Sequence, residues 1–363
     1  MHRLQLVKPD GRCMTLYARH PFNDDRTAPS PFAEPLQARP HLRWHPLRGE
    51  WVTYAAYRQD RTFLPPPQYN PLAVTTDPTQ PTELPDGEWD IAVFDNRFPS
   101  LTSATRGAEI LPELIVPTAP ASGQCEVVVF GRDQTPLGSQ PLAHIELLLE
   151  VLAERTLVLA QRADVKYVLP FENRGAEVGV TLHHPHGQIY AYPVVPPVPA
   201  RMHQVAAEHF GKTGRGVLQA LIEAERSDGS RMLYEGAHAV AFVPVCARYP
   251  YEVWVAPVQP VQDFTELSNE QRTDLARALK TIMLKYDGLW QRPFPYVMAW
   301  YQAPTDGKRH PESHLHAEFF PPYRTRDRLK YLAGTEIAAG FFAMDALPED
   351  KARELQQVNV VLQ

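Results

Sequence analysis

The sequence predicts an α+β protein built from two tandem units packed side by side. Three observations predict it. The same succession occurs twice: an apolar strand, an amphipathic helix, a second strand, then a strand carrying histidines. The two copies keep nearly equal spacing, with 58 residues from Glu126 to His184 and 62 from Glu252 to His314. The chain of 363 residues, 44% apolar and 21% charged, is long enough to bury a core in each unit.

In the first copy CEVVVFG (125–131) reads as a strand, and apolar residues recur at helical spacing over roughly 141–163. KYVLPFE (166–172) is the next strand, followed by HHPHGQIYAYP (183–193). The second copy opens with YEVWVAP (251–257). Ser268 and Gln271 then fit a capping box ahead of DLARALKTIMLKYDGLW. YVMAWY (296–301) and HLHAEFFPP (314–322) complete it. Before the first copy, 41–61 and 90–98 supply further strands. Between the copies, a helix near 200–226 and strands at 231–235 and 239–244 complete the second sheet, and the chain ends in a glycine-bearing turn and a helix near 348–357. Prolines number 37 and cluster at 27–46, 64–88 and 193–199, where interleaved aromatic and leucine residues predict long ordered loops. The expected division is an extension (1–40), a first, catalytic unit (41–198) and a second unit (199–363).

Composition narrows the function. A net charge of −6 argues against nucleic acid as a partner, while leaving room for a local basic pocket for one phosphate. No run approaches the roughly 20 apolar residues of a membrane span. The opening MHRLQLVKPDGRCMTLYARH lacks the apolar core of a secretion signal, so a cytoplasmic protein is expected. Cys13, Cys125 and Cys246 are far apart, which speaks against a disulfide framework and a cysteine-based zinc site.

The chemistry points to His184-Pro185-His186-Gly187-Gln188. On a strand, residues two apart share a face, which predicts that His184, His186 and Gln188 point together. Pro185 suits an edge or a turn rather than a central strand, and Gly187 leaves room for a substrate beside the main chain. A neutral imidazole with one nitrogen held by a carbonyl can attack phosphorus with the other. Gln188 can donate to a phosphate oxygen without exchanging a proton with water, which favours holding a covalent intermediate. Two alternatives stay open: an ordinary structural histidine, and a metal site, since H-x-H puts two ligands on one face.

FENRGAEVGVTLHHPHGQIYA (171–191) is similar to the active-site segment of the galactose-1-phosphate uridylyltransferases, a branch of the histidine-triad superfamily, and the resemblance runs over about 41–340. It implies two histidine-triad-like units whose antiparallel sheets are flanked by helices, and a homodimer. It also implies ping-pong exchange of UMP between UDP-glucose and galactose 1-phosphate. His186 corresponds to the nucleophile, beside His184, and Gln188 to the residue contacting the transferred phosphate. Asn173, Gly179 and Thr181 match nucleotide-phosphate contacts. RWHPLRGEWVTYAAYRQDR places Arg58 and Arg61 near the site, with His45 standing for an asparagine. FDNRF carries over Asn96 and Phe98, with Arg97 where an acid is often found. The second half, HLHAEFF with Glu318 in the third polar position, resembles the catalytically silent half. LKYLAGTE resembles a segment that reaches the sugar phosphate of a neighbouring subunit, with Lys330 and Glu336 as its polar candidates.

Several positions depart from the family. Asn70-Pro71-Leu72-Ala73 stands where many members carry C-x-x-C zinc ligands, and Gln134 replaces a further histidine ligand, leaving His184 of that set. Met202, Tyr301 and Glu318 fall near the positions of a second metal site, and Phe342 replaces a glutamine that partners the sugar-binding glutamate. No cofactor is therefore expected, neither zinc nor iron. Three rivals stay open: a phosphorylase of ADP-glucose or a diadenosine polyphosphate, which the same motif serves; an inactive nucleotide-binding protein, against which retention of His186 and Gln188 argues; and a metal-dependent hydrolase.

Overall fold

The computed structural model describes residues 1–23, 25–60, 65–66, 69–103, 112 and 114–362. In chain order the first half runs β1 (His2–Val7), β2 (Cys13–Ala18), β3 (His41–His45), β4 (Glu50–Tyr54), β5 (Ile91–Asp95), β6 (Thr118–Pro120), β7 (Gln124–Val129), α1 (Leu142–Ala160), β8 (Tyr167–Arg174) and β9 (His186–Tyr192). The second half runs α2 (Pro197–Thr213), α3 (Val217–Asp228), β10 (Met232–Glu235), β11 (Ala239–Phe242), β12 (Val253–Pro257), α4 (Asn269–Trp290), β13 (Tyr296–Tyr301), β14 (His316–Phe320), β15 (Tyr323–Thr325), β16 (Arg328–Leu329), α5 (Gly334–Ala339) and α6 (Pro348–Gln356).

The two expected sheets merge into one of eleven strands, in the order β1-β2-β5-β7-β9-β8-β13-β14-β12-β11-β10. All its pairs are antiparallel, and β8 and β13 join the halves, with Phe171 opposite Ala299 and Asn173 opposite Val297. Outward from that seam each half reads the same: β8, β9, β7, β5 on one side and β13, β14, β12, β11 on the other. The duplication read from spacing is therefore a pseudo-twofold relation about a shared sheet. Residues 2–18 supply β1 and β2, which lengthen the first half of that sheet.

One face of the sheet is covered by α1 and α4. Ile145, Leu148 and Leu152 of α1 and Leu275, Leu279 and Ile282 of α4 share a single core with Val128, Ile189, Val253 and Ala317. The Ser268 capping box forms as expected: its hydroxyl accepts from Gln271 N–H while the Gln271 side chain accepts from Ser268 N–H. Along β9, Gly187, Ile189 and Ala191 are buried, while His186, Gln188 and Tyr190 alternate onto the other face. That alternation presents the polar motif away from the helices.

Two local expectations are corrected. The helix near 200–226 is two helices, because Gly214 takes a left-handed φ of 70° and caps α2. The proline cluster at 193–199 is not wholly loop, since Pro197 opens α2, where a missing N–H costs nothing.

Candidate active site

The first residue of β9, His186, carries the reactive group. Pro185 stands just before the strand, so the central position of β9 between β7 and β8 loses no ladder bond to it. His184 lies outside the strand, and its imidazole does not share the face of His186 and Gln188. It is buried, with Nε2 2.9 Å from the Gly131 oxygen and Nδ1 3.0 Å from Asn70 Nδ2. A carbonyl only accepts, so Nε2 carries the hydrogen and Nδ1 accepts from the Asn70 amide. Asn70 Oδ1 in turn accepts from Leu72 N–H. The contribution of His184 to the site is through its main chain: its carbonyl accepts from His186 Nδ1 at 2.7 Å. His186 Nε2 is thereby the nitrogen left with a lone pair, and burial holds the imidazole below its usual pKa.

His186 and Gln188 line a cavity of about 320 Å³. Gln188 Oε1 accepts from Asn96 Nδ2 at 3.4 Å, which leaves its own amide hydrogens to offer a ligand. Asn96 also accepts from Phe98 N–H at 2.8 Å, and the Phe98 carbonyl accepts from Arg58 Nη1 at 2.5 Å. Arg58, Asn96, Phe98, Asn173, Gly179 and Thr181 all line the cavity, so with His186 and Gln188 eight of the expected residues meet there. Gly179 sits at φ 80°, in the left-handed region, so a side chain there is strained whatever space surrounds it. Gly187 serves differently from the expectation. It faces the helices, where a Cβ would lie 3.0 Å from both the Phe130 ring and the Phe171 oxygen, so it permits packing beneath the site rather than substrate approach. Arg61 lies outside the described residues. Lys330 and Glu336 do not line the cavity; they lie 3.5 Å apart, Lys330 donates to the Ala343 oxygen, and main-chain amides hold the Glu336 carboxyl down at about 2.

Part of the wall was not legible in advance. Pro31 and Phe32 come from the N-terminal 40 residues, and Glu83 from the second proline-rich stretch. Behind Glu83 lies a buried charge network: Arg12 Nη2 reaches it at 2.7 Å, Lys8 Nζ at 2.8 Å, and Arg12 Nε reaches Asp10 at 2.7 Å. Arg97, also in the wall, is 3.3 Å from Asp10 and stacks on Phe32 at 4.3 Å. Three segments far apart in sequence build this network, so no local pattern announces it.

The second half repeats the hydrogen bonds and changes the chemistry. His316 Nδ1 donates to the His314 oxygen at 2.8 Å, and His314 Nε2 to the Pro257 oxygen at 2.8 Å. Glu318 replaces the glutamine, however, and its Oε1 stands 3.3 Å from His316 Nε2. A carboxylate there repels a phosphate and occupies the nitrogen that would attack it.

The positions compared with the family's metal ligands make other contacts here. The Nδ1 lone pair that His184 could give to zinc is taken by Asn70. At the second position Glu318 is bound to Arg248, at 3.2 Å, and to His316, beside a thioether (Met202) and a phenol (Tyr301). No described helix is long and apolar enough to cross a membrane.

Comparison with known proteins shows the family. Residues 31–196 match the family model "Galactose-1-phosphate uridyl transferase, N-terminal domain", and residues 202–361 match its C-terminal counterpart. Galactose-1-phosphate uridylyltransferase of Thermotoga maritima is 37% identical over 321 residues, covering 88% of this chain and 98% of its own. That of Streptomyces lividans is 34% identical, with 86% of each covered. A solved uridylyltransferase structure superimposes with a TM-score of 0.77 at 31% identity, over 88% of this chain and 98% of that one.

Proposed function

The chain belongs to the galactose-1-phosphate uridylyltransferase family, and on that premise we propose that it moves UMP from UDP-glucose to galactose 1-phosphate through a uridylyl group held on His186. The observation that carries this reading is the Nδ1–H bond of His186 to the His184 carbonyl, which leaves Nε2 unprotonated in the cavity. Nε2 attacks the α-phosphorus of UDP-glucose, the bond from that phosphorus to the bridging oxygen breaks, and glucose 1-phosphate leaves. A phosphate oxygen of galactose 1-phosphate then attacks the same phosphorus, the P–N bond breaks, and UDP-galactose leaves with His186 restored. Gln188, oriented by Asn96, donates to the transferred phosphate, and Arg58 adds positive charge at the cavity wall.

The site for the acceptor sugar phosphate is completed from a second copy of the chain. Lys330 and Glu336 lie outside this chain's own cavity, on a segment where Tyr331, Ile337 and Phe341 are exposed. Burying those apolar groups against a partner forms a homodimer and carries the pair toward the partner's site.

Intact mass of the protein after incubation with UDP-glucose tests the mechanism. A uridylyl adduct is expected on wild type and absent from His186→Ala. Equal adduct on both, or adduct only with ADP-glucose, overturns the nucleophile or the nucleotide respectively.

A further inference from the structure

A second cluster, in the other half of the molecule, has the composition and spacing of a metal site. His203 lies on α2, and His310 and Glu312 lie in the segment between β13 and β14. Glu312 Oε1 is 3.1 Å from His310 Nδ1 and 3.5 Å from His203 Nε2, and the three groups' donor atoms all fall within 4.8 Å of one another. A tetrahedral zinc ion with bonds of about 2.0–2.2 Å sets neighbouring donors roughly 3.4 Å apart. Two imidazoles and a carboxylate thus already stand near three corners of that tetrahedron.

The surroundings favour an ion over a chance encounter. The other ring nitrogen of His310, Nε2, is 2.8 Å from Asp306 Oδ1. A carboxylate at that nitrogen holds its hydrogen and directs the Nδ1 lone pair toward Glu312, the support that metal-bound histidines ordinarily have. His310 is buried, while His203 and Glu312 are half-buried and line an apolar cavity of about 310 Å³ that gives access from solvent. None of the three is a position compared above with the family's metal ligands.

We propose that His203, His310 and Glu312 bind one divalent transition-metal ion, zinc by its affinity for nitrogen and carboxylate donors, with Asp306 orienting His310. The ion ties α2 to the segment leading into β14, and a water completes its shell.

The test is calorimetric titration of zinc chloride into chelator-stripped, full-length protein. One bound equivalent is expected, accompanied by a higher melting temperature. His203→Ala and Glu312→Gln each weaken binding about 100-fold or more, and Asp306→Asn weakens it about 10–100-fold although it removes no ligand. His316→Ala, at the neighbouring histidine, leaves the stoichiometry unchanged. Circular dichroism of each variant establishes that it is folded, and Glu312→Gln, the smallest change in shape, decides the matter if His203→Ala is not. Zinc uptake unaffected by Glu312→Gln and Asp306→Asn, or no uptake by folded wild type, overturns the proposal.

Discussion

His186 donates its Nδ1 hydrogen to the main-chain oxygen of His184 at 2.7 Å, and His316 makes the same bond to His314 at 2.8 Å. The geometry of a nucleophile is present in both halves, so its use depends on what surrounds Nε2. At His186 burial lowers the pKa below the usual value near 6.5. Protonation of Nε2 removes its lone pair, so a lowered pKa carries activity further into acid. For the uridylylation half-reaction, kcat/KM against pH is expected to show an acid limb centred below 6.5. A midpoint at or above that value contradicts the assignment.

Glu318 beside His316 shows what a carboxylate does at the Gln188 position. Gln188→Glu removes an amide donor and adds a charge that repels phosphate. A loss of about 100-fold or more in kcat is expected, with the fold retained. Steady-state kinetics alongside circular dichroism check it, and near-normal turnover would falsify the role given to Gln188.

Arg12 joins Asp10 and Glu83 behind the cavity wall, all three buried. Arg12→Met leaves two buried carboxylates with only Lys8 and Arg97 to balance them. Removing one partner from such a network typically costs about 3–5 kcal/mol. Because two cations remain, the lower end is expected in urea unfolding, and a loss under about 1 kcal/mol refutes the reading.

Glu172, beneath the site on β8, accepts from Tyr296 Oη at 3.1 Å, and burial raises its pKa from 4.5 to about 7. The folded state then binds a proton that the unfolded chain has already released, so stability falls as pH rises from 4.5 through 7 and levels off above. The upper bound is on the order of 3 kcal/mol. Glu172→Gln imitates the protonated carboxyl. It should match wild type near pH 4.5 and exceed it in urea midpoint at pH 8; parallel curves at both pH values argue that the carboxyl is not held neutral.

The half-site on β9 was readable because it is local. Period-two alternation places His186 and Gln188 on one face of any strand that carries them, whatever the rest of the fold. His184 escaped that rule because Pro185 separates it from the strand, and its ring turned to Gly131 and Asn70 instead. Gly187 was misread for a related reason: which side of a strand faces helices is set by packing, and only the Phe130 and Phe171 contacts reveal it.

By itself the sequence determined the duplicated order of elements, the capping of α4 at Ser268 and the pair His186–Gln188, since each rests on periodicity or on groups within a few residues. Tertiary structure alone decided that the halves share one sheet through β8 and β13, and that Lys8, Arg12 and Glu83 meet behind the cavity. It also decided that His203 faces His310 and Glu312. Those contacts join segments separated by tens to more than a hundred residues, and their partners are chosen by the packing of the whole chain rather than by any local propensity.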